Sequence, residues 1–225
     1  MIINIAIDGP SGAGKSTVAR ALAKKLRFVY VDTGAMYRAI GVYVRAHGVK
    51  PDDEAAVCAL LPEIEIRLAY SAEGEQLVYL CGEDVSRVIR ENEISMYASA
   101  VSRIPAVRTF LLQMQRDLAE KNNVIMDGRD IGTVILPHAQ LKIFMTASAE
   151  ARARRRTREL LEKGQDVDYE TILAEINERD EADRTRAVAP AVPAQDAVLM
   201  DNSVMSVEEN VAAIEALMRD RGLLV

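Results

Sequence analysis

The sequence predicts an α/β protein built on a doubly wound core with a parallel sheet. Three observations predict it. Five short apolar runs, at 2–7, 28–31, 124–126, 141–145 and 197–200, have the length and continuity of strands buried on both faces. Helical periodicity lies between several of them, as with Val18, Leu22 and Leu26 at i, i+4 and i+8. Four of the five runs end at an aspartate, Asp8, Asp32, Asp127 and Asp201. Open parallel sheets bind ligands beyond the carboxyl ends of their strands, so these aspartates gather polar chemistry at one edge. Taken singly, each has a second reading as a strand end or helix cap.

The first run leads directly into GPSGAGKS at 9–16, which fits G-x-x-x-x-G-K-[ST] between a strand and a helical pattern. Each residue type has a reason. Gly9, Gly12 and Gly14 let the backbone curl so that successive N–H groups face a phosphate, and the following helix N-terminus adds partial positive charge. Lys15 carries an ammonium to where the β- and γ-phosphates meet, and the Ser16 hydroxyl is placed to ligate a bridging Mg2+. Residues Gly9, Pro10, Ser11, Gly12, Ala13, Gly14, Lys15, Ser16 and Thr17 are therefore the expected nucleotide cradle, with Ser16 as the metal ligand.

After the second strand the pattern changes. Residues 63–80 hold two alternating runs, EIEIRLAY and EQLVYL, separated by SAEG, which predicts an antiparallel hairpin. The stretch from about 34 to 97 then reads as a small lobe inserted between the second and third core strands. The third strand ends in DGRD at 127–130, with Arg129 and Asp130 adjacent. Asp127 has two readings there, a carboxylate holding water on a metal and a helix cap.

Beyond the fourth strand, 152–158 reads RARRRTR, five guanidinium groups in seven residues. A solvated face is one reading of such a block. The other is a lid that closes over a polyphosphate, where arginines offset charge gathering on the transferred group. The next helical stripe, Ile172, Leu173 and Ile176, turns polar at Arg179, Asp183 and Arg186, which continue the same face. Charges on an inward face need partners. Phosphates for the arginines and a sugar hydroxyl for Asp183 would supply them. The alternative is a surface ion-pair ladder, for example Asp180 with Arg184 at i, i+4. A Pro-containing loop, APAVPA at 189–194, precedes the last strand.

Composition narrows the class. With 225 residues, 49% hydrophobic and 28% charged, the chain can bury a core and is neither disordered nor fibrous. The 28 basic and 34 acidic residues leave a net charge of −6, which argues against a partner that is a nucleic acid polymer. Anion sites must be local. Cys58 and Cys81 lack companion histidines, so neither a disulfide framework nor a zinc site is suggested. The first apolar run lacks a basic leader and stops at Asp8, so neither a signal peptide nor a membrane span is expected and the predicted location is the cytoplasm. No NKxD and no LSGGQ-like segment stands in the chain, which leaves a small phosphotransferase acting on a small acceptor.

On these segments the chain resembles the bacterial-type cytidylate (CMP/dCMP) kinases of the nucleoside monophosphate kinase family. IDGPSGAGKST, DTGAMYRA at 32–39, DGRDIGTV at 127–134, the arginine-rich stretch and ERD…DRTRAVAP at 178–190 carry the resemblance over nearly the whole length. It implies a P-loop fold with a five-stranded parallel core, a monophosphate-binding insert and a helical lid. The divisions would be core at 1–33, insert at 34–97, core at 98–150, lid at 151–167 and core at 168–225, all one catalytic unit. It implies ATP and Mg2+ as co-reactants, CMP and dCMP as acceptors, a place in pyrimidine nucleotide metabolism, and a monomer with no membrane partner. It also implies roles for individual residues. Thr33 and Ser99 match base-contact positions, Arg108, Arg129 and Asp130 read the acceptor, Asp183 contacts the ribose, and Arg179 and Arg186 contact phosphate. Among the lid arginines Arg154, Arg155 and Arg156 the register is open; Arg155 is the one assigned to the γ-phosphate, with Lys15 and Arg186 completing the catalytic set.

The chemistry of the base agrees. Cytosine offers an amine donor and a ring-nitrogen acceptor, so a carboxylate and a guanidinium, Asp130 and Arg108, form a complementary pair. Uracil reverses both groups, at a cost of ~1–3 kcal/mol for a mismatched buried polar contact. The attacking 5′-phosphate has a second pKa of about 6 and needs no strong base, which suits a chain whose two histidines, His47 and His138, read as surface or packing residues.

Overall fold

The computed structural model describes residues 2–72 and 74–224. In chain order its elements are β1 (Asn4–Asp8), α1 (Lys15–Leu26), β2 (Val29–Asp32), α2 (Thr33–Ala46), α3 (Glu54–Leu60), β3 (Ile66–Tyr70), β4 (Gln76–Leu80), β5 (Glu83–Asp84), α4 (Asn92–Val101), α5 (Pro105–Lys121), β6 (Val124–Gly128), β7 (Leu141–Thr146), α6 (Ala149–Glu162), α7 (Tyr169–Thr185), β8 (Val198–Asp201) and α8 (Val207–Asp220). All five predicted core strands form, and they assemble in one sheet of order β2-β6-β1-β7-β8. The chain divides into two compact units, Met1–Tyr30 with Asn122–Val225, and Val31–Lys121.

In the first unit β1 is central. It runs parallel to β6 and to β7, with Asp8 level with Gly128 on one side and Phe144 on the other. Ile5, Ile7, Ile125, Leu141, Ile143 and Met145 are buried, which is why these runs carry no alternation. Val18 and Leu22 of α1, with Ile214 and Met218 of α8, close over one face of the sheet. Each such side chain fully withdrawn from water contributes roughly 1.5–3 kcal/mol. A separate small core joins α6 to α7 through Ala153, Leu160 and Ile172, with Leu173 and Ile176 packed against it. The stripe predicted on α7 thus packs on α6.

One element was not legible. Ile131–Ile135 forms a turn of π-helix directly after β6, a geometry that is rare and that clusters at functional sites.

The second unit contains the predicted hairpin. Strands β3 and β4 pair antiparallel from Ile66 opposite Leu80 to Tyr70 opposite Gln76, and the short β5 adds a third strand. The first alternating run begins later than its pattern suggests, because Leu61–Glu63 is a tight helical turn around Pro62. Met36 and Ile40 of α2, Ile94 of α4 and Leu111 of α5 are fully buried in this unit.

Candidate active site

The loop between β1 and α1 is held open by three glycines with positive φ: Gly9 at 142°, Gly12 at 75° and Gly14 at 89°. At two of them a side chain is also excluded by space. A Cβ on Gly9 would stand 1.9 Å from the Met145 carbonyl oxygen, and one on Gly14 would stand 2.4 Å from Nδ2 of Asn202. No side chain caps the first turn of α1 and no acidic residue sits in it. By contrast α2, α6, α7 and α8 are capped by Asp32, Ser148, Asp168 and Ser206. The amides at the start of α1 are therefore left for an anion.

Carbonyls of the same loop are taken up by donors. Lys15 Nζ donates to Pro10 O at 2.7 Å, Arg152 Nη1 to Ser11 O at 3.0 Å and Asn202 Nδ2 to Ala13 O at 2.7 Å. Asn202 is itself held by Asn210, whose Nδ2 donates to Asn202 Oδ1 at 2.7 Å. Neither asparagine stood out in the sequence. The only trace is the position of Asn202 one residue past a strand-ending aspartate.

Lys15 is 5% exposed. Burial, and then the neighbouring Arg129 guanidinium, push its ammonium down from 10.5 to about 7 against the pull of Asp127 and Asp8, with Arg179 lowering it further. A buried cation thus stands at the cradle with a neutral carbonyl as its hydrogen-bond partner, where an arriving anion would stabilise its charge.

Asp127 takes two hydrogen bonds, from Ser16 Oγ at 2.7 Å and from the Tyr30 hydroxyl at 2.9 Å. This corrects the cap reading: Asp127 caps no helix and belongs to the cradle. Ser16 and Asp127 present oxygen to a hard cation, one hydroxyl ligand backed by a carboxylate, which suits Mg2+ arriving with phosphates. Among the described residues no cluster of three or more His, Cys, Asp or Glu could hold a metal by itself. The residues present fit an ion that comes bound to a nucleotide.

Asp8, at the end of β1, accepts from the backbone N–H groups of Ile131 and Gly132, both at 2.7 Å. It thereby fixes the π-turn that follows Arg129 and Asp130. Its burial raises the carboxyl from 3.8 to about 6, against the lowering effect of those two amides.

The residues of the first unit that the sequence assigns to an acceptor converge. Arg129 Nε donates to Asp183 Oδ2 at 2.9 Å, and Arg186 approaches Asp130 Oδ1 at 3.5 Å and Asp183 Oδ1 at 3.9 Å. Burial alone would raise Asp183, but Arg129, Arg179 and Arg186 outweigh it and hold the carboxyl below its ordinary 3.8. Helix α7 ends at Thr185, so Arg186 is placed by extended backbone just past the helix. The ladder's example pair is corrected here: Asp180 pairs with Arg152, while Arg184 forms an intrahelical pair with Glu181. Of the arginine block, Arg152 is 4% exposed and faces inward. Arg155 donates to the carbonyls of Asn202 at 2.6 Å and Ser203 at 3.1 Å. Arg154 and Arg158 are exposed.

Thr33, Ser99 and Arg108 belong to the second unit. Thr33 is buried at the start of α2. The Ser99 carbonyl on α4 accepts from the Ser102 hydroxyl at 2.9 Å. Arg108 on α5 donates to Ser102 O at 3.1 Å and lies over the Tyr37 ring at 5.6 Å. Cys58 and Cys81 are both free thiols, and His47 and His138 are exposed.

An uncapped glycine loop with a buried lysine, a Ser–Asp pair beside it and an arginine–carboxylate cluster on the same unit define a P-loop nucleotide-handling protein. Comparison with known proteins narrows the class. The cytidylate kinase family model matches residues 5–220. A cytidylate kinase of Caldicellulosiruptor bescii is 52% identical over 207 residues, 92% of this chain and 91% of that one. One from Bacillus licheniformis is 49% identical over 205 residues, 91% of each. A crystal structure of an uncharacterised protein from Eubacterium ventriosum shares the fold at a TM-score of 0.53, with 14% identity and coverage of 98% and 99%. The chain belongs to the cytidylate kinase family, and it is an enzyme, a nucleotide kinase. Among the described residues no helix is long and apolar enough to cross a membrane.

Proposed function

We propose that this enzyme transfers the γ-phosphoryl group of MgATP directly and in line to the 5′-phosphate of CMP or dCMP, giving ADP and CDP or dCDP. The observation that carries the reading is the proximity of two anion sites at the end of β6: Asp127 bonds Ser16 of the cradle at 2.7 Å, and Arg129, two residues on, pairs with Asp183 at 2.9 Å. Two phosphates brought that near, one on amides and one on guanidiniums, are the reactants of a phosphoryl transfer. Membership of the cytidylate kinase family supports the same acceptor.

The chain's own residues supply position and charge. Gly9 to Thr17 hold the donor phosphates. Lys15 leaves the Pro10 carbonyl for the β- and γ-oxygens, with Arg186 and one lid arginine, assigned as Arg155, adding charge to the transferring group. When bound, Mg2+ would neutralise the phosphate oxygens, held by Ser16 with Asp127 orienting its water. Arg129 and Arg179 position the acceptor phosphate and Asp183 the sugar. Asp130 and Arg108 read the amine and ring nitrogen of cytosine, and Thr33 and Ser99 line the base. No general base is required, since the attacking phosphate is largely ionised at neutral pH.

The test is an ADP-release assay with Mg2+, ATP and a panel of CMP, dCMP, UMP, AMP, dTMP and shikimate. Turnover with CMP and dCMP, and much weaker turnover with the rest, is expected. Turnover with another acceptor but not CMP would overturn the substrate; ATP binding without acceptor-dependent ADP release would make the protein a nucleotide sensor.

A further inference from the structure

Arg152 opens the arginine block that the sequence offered as a lid, yet every donor it places is turned toward the protein. Its Nε donates to the Ala147 carbonyl at 2.9 Å, its Nη1 to the Ser11 carbonyl at 3.0 Å, and Nη1 and Nη2 together grip the Asp180 carboxylate as a fork. Its stem lies in van der Waals range of Gly12, where a Cβ would meet Arg152 side-chain carbons at 3.5–3.8 Å. A guanidinium removed from water is tolerated only when paired and fully hydrogen-bonded. Here four of the five N–H groups are engaged, by three separate segments: the residue after β7, the phosphate loop and α7.

The consequence follows from peptide geometry. In a trans peptide the C=O and the next N–H point in opposite directions. A guanidinium that holds the Ser11 carbonyl on the outside of the loop therefore turns the Gly12 N–H the other way, into the cradle. At the same time the fork on Asp180 fixes the turn of α7 that carries Arg179 and, one turn on, Asp183. We infer that Arg152 is a positioning residue that orients the donor-phosphate cradle and, through Asp180, sets the acceptor-side arginine cluster in register with it. It is a strut between the two anion sites, with no part as a lid cation. This deepens the kinase reading and rests on it for the acceptor arm alone.

The variants Arg152→Gln, Arg152→Lys and Asp180→Asn separate strut from cation. Steady-state kinetics would give KM for ATP and for CMP, and calorimetry of ADP binding would report on the cradle without any acceptor. Arg152→Gln is expected to weaken ADP binding and raise both KM values about tenfold or more. Arg152→Lys keeps the charge but cannot span Ala147, Ser11 and Asp180 together, so it should fall with Gln. Asp180→Asn leaves the Ser11 contact in place; it should raise KM for CMP about tenfold and change ADP affinity less than about threefold. A fall in kcat with unchanged KM and ADP affinity, or full rescue by lysine, would overturn the strut and make Arg152 a transition-state cation. Should Arg152→Gln fail to fold, the Lys and Asn variants still decide: wild-type CMP affinity in Asp180→Asn sinks the coupling. If no variant or wild type turns over CMP, the acceptor reading has failed, and the ADP calorimetry still tests the strut.

Discussion

Within one unit two sites suited to phosphate are built by opposite means. In the loop of residues 9–17 the ligating groups are main-chain amides, kept in place by glycines that no side chain could replace and by donors that occupy the loop's carbonyls. Around Arg129, Asp130, Asp183 and Arg186 the groups are side chains that already neutralise one another. In the first site the amides at the helix start carry no side-chain cap and the buried Lys15 ammonium rests on the neutral Pro10 carbonyl; in the second, arginines and carboxylates face one another and a ligand must rearrange them. An amide cradle needs no reorganisation when charge arrives, so it suits the donor, whose transferring group gathers charge in the transition state. Paired arginines with carboxylates between them suit an acceptor that must be recognised by sugar and base as well as by phosphate.

The largest expected effect separates the two sites. Lys15→Ala should lower kcat by about a thousandfold or more, since it removes a charge that acts on the transferring phosphoryl group. CMP binding by calorimetry should remain within about threefold of wild type, because the proposed acceptor site is the other cluster. Loss of CMP affinity in this variant would show that the sites are one, and the comparison would fall.

Asp130→Ala tests the second site by selectivity. With Asp130 as the proposed acceptor for the cytosine amine, its removal should cut the kcat/KM preference for CMP over UMP by about 10- to 100-fold, equivalent to ~1–3 kcal/mol. ATP parameters should barely move. An unchanged CMP-to-UMP ratio would assign base reading to other residues.

The two sites also differed in how far the sequence disclosed them. The cradle was legible because it is local: nine consecutive residues, a strand before and a helix after, with each glycine demanded by backbone geometry. The five strands were legible for a similar reason, since a strand buried on both faces must be apolar throughout. The arginine–carboxylate cluster was named in the sequence only through family resemblance, because Arg129, Asp183 and Arg186 meet through tertiary packing. Periodicity did put Arg179 and Asp183 on the face of Ile172 and Ile176, yet it could not show that Arg186 lies beyond the helix end. What stayed hidden was the support. Asp8 looked like any strand-ending aspartate until its two bonds to the π-turn were seen, and Asn202 and Asn210 are 189 and 197 positions from the Ala13 carbonyl they hold in place. The block RARRRTR misled for the converse reason: charge density suggests solvent, while Arg152 is buried by contacts that composition cannot reveal.

That support gives the next prediction, on the donor side. Asn202→Ala takes the side-chain donor from the Ala13 carbonyl and leaves Asn210 Nδ2 with its bond to the Ser206 carbonyl but without its acceptor on Asn202, both in the interior. Each unmet polar group costs roughly 1–3 kcal/mol, so chemical denaturation should show a loss of about 2–4 kcal/mol. KM for ATP should rise severalfold while KM for CMP stays near wild type. Equal effects on both constants would mean that the asparagine pair supports the unit generally and not the cradle.

The last effect is also the most direct probe of the buried lysine. In the ligand-free protein Lys15 titrates near 7 against 10.5 for an ordinary lysine. Between those values the unfolded chain holds a proton that the native chain has released, so stability rises with pH across that window. Below pH 7 both states are protonated and the native state bears the full cost of a buried charge. Lys15→Met has no such titration. The ligand-free methionine variant should therefore melt measurably above wild type at pH 6, and the gap should narrow steadily toward pH 9.5. Saturating ADP should abolish or reverse the gap at pH 6, because the nucleotide's phosphates stabilise the charged lysine only in wild type. A gap that is constant with pH would mean that the ammonium is already satisfied within the protein, and the donor site would then resemble the acceptor cluster in being a closed set of contacts.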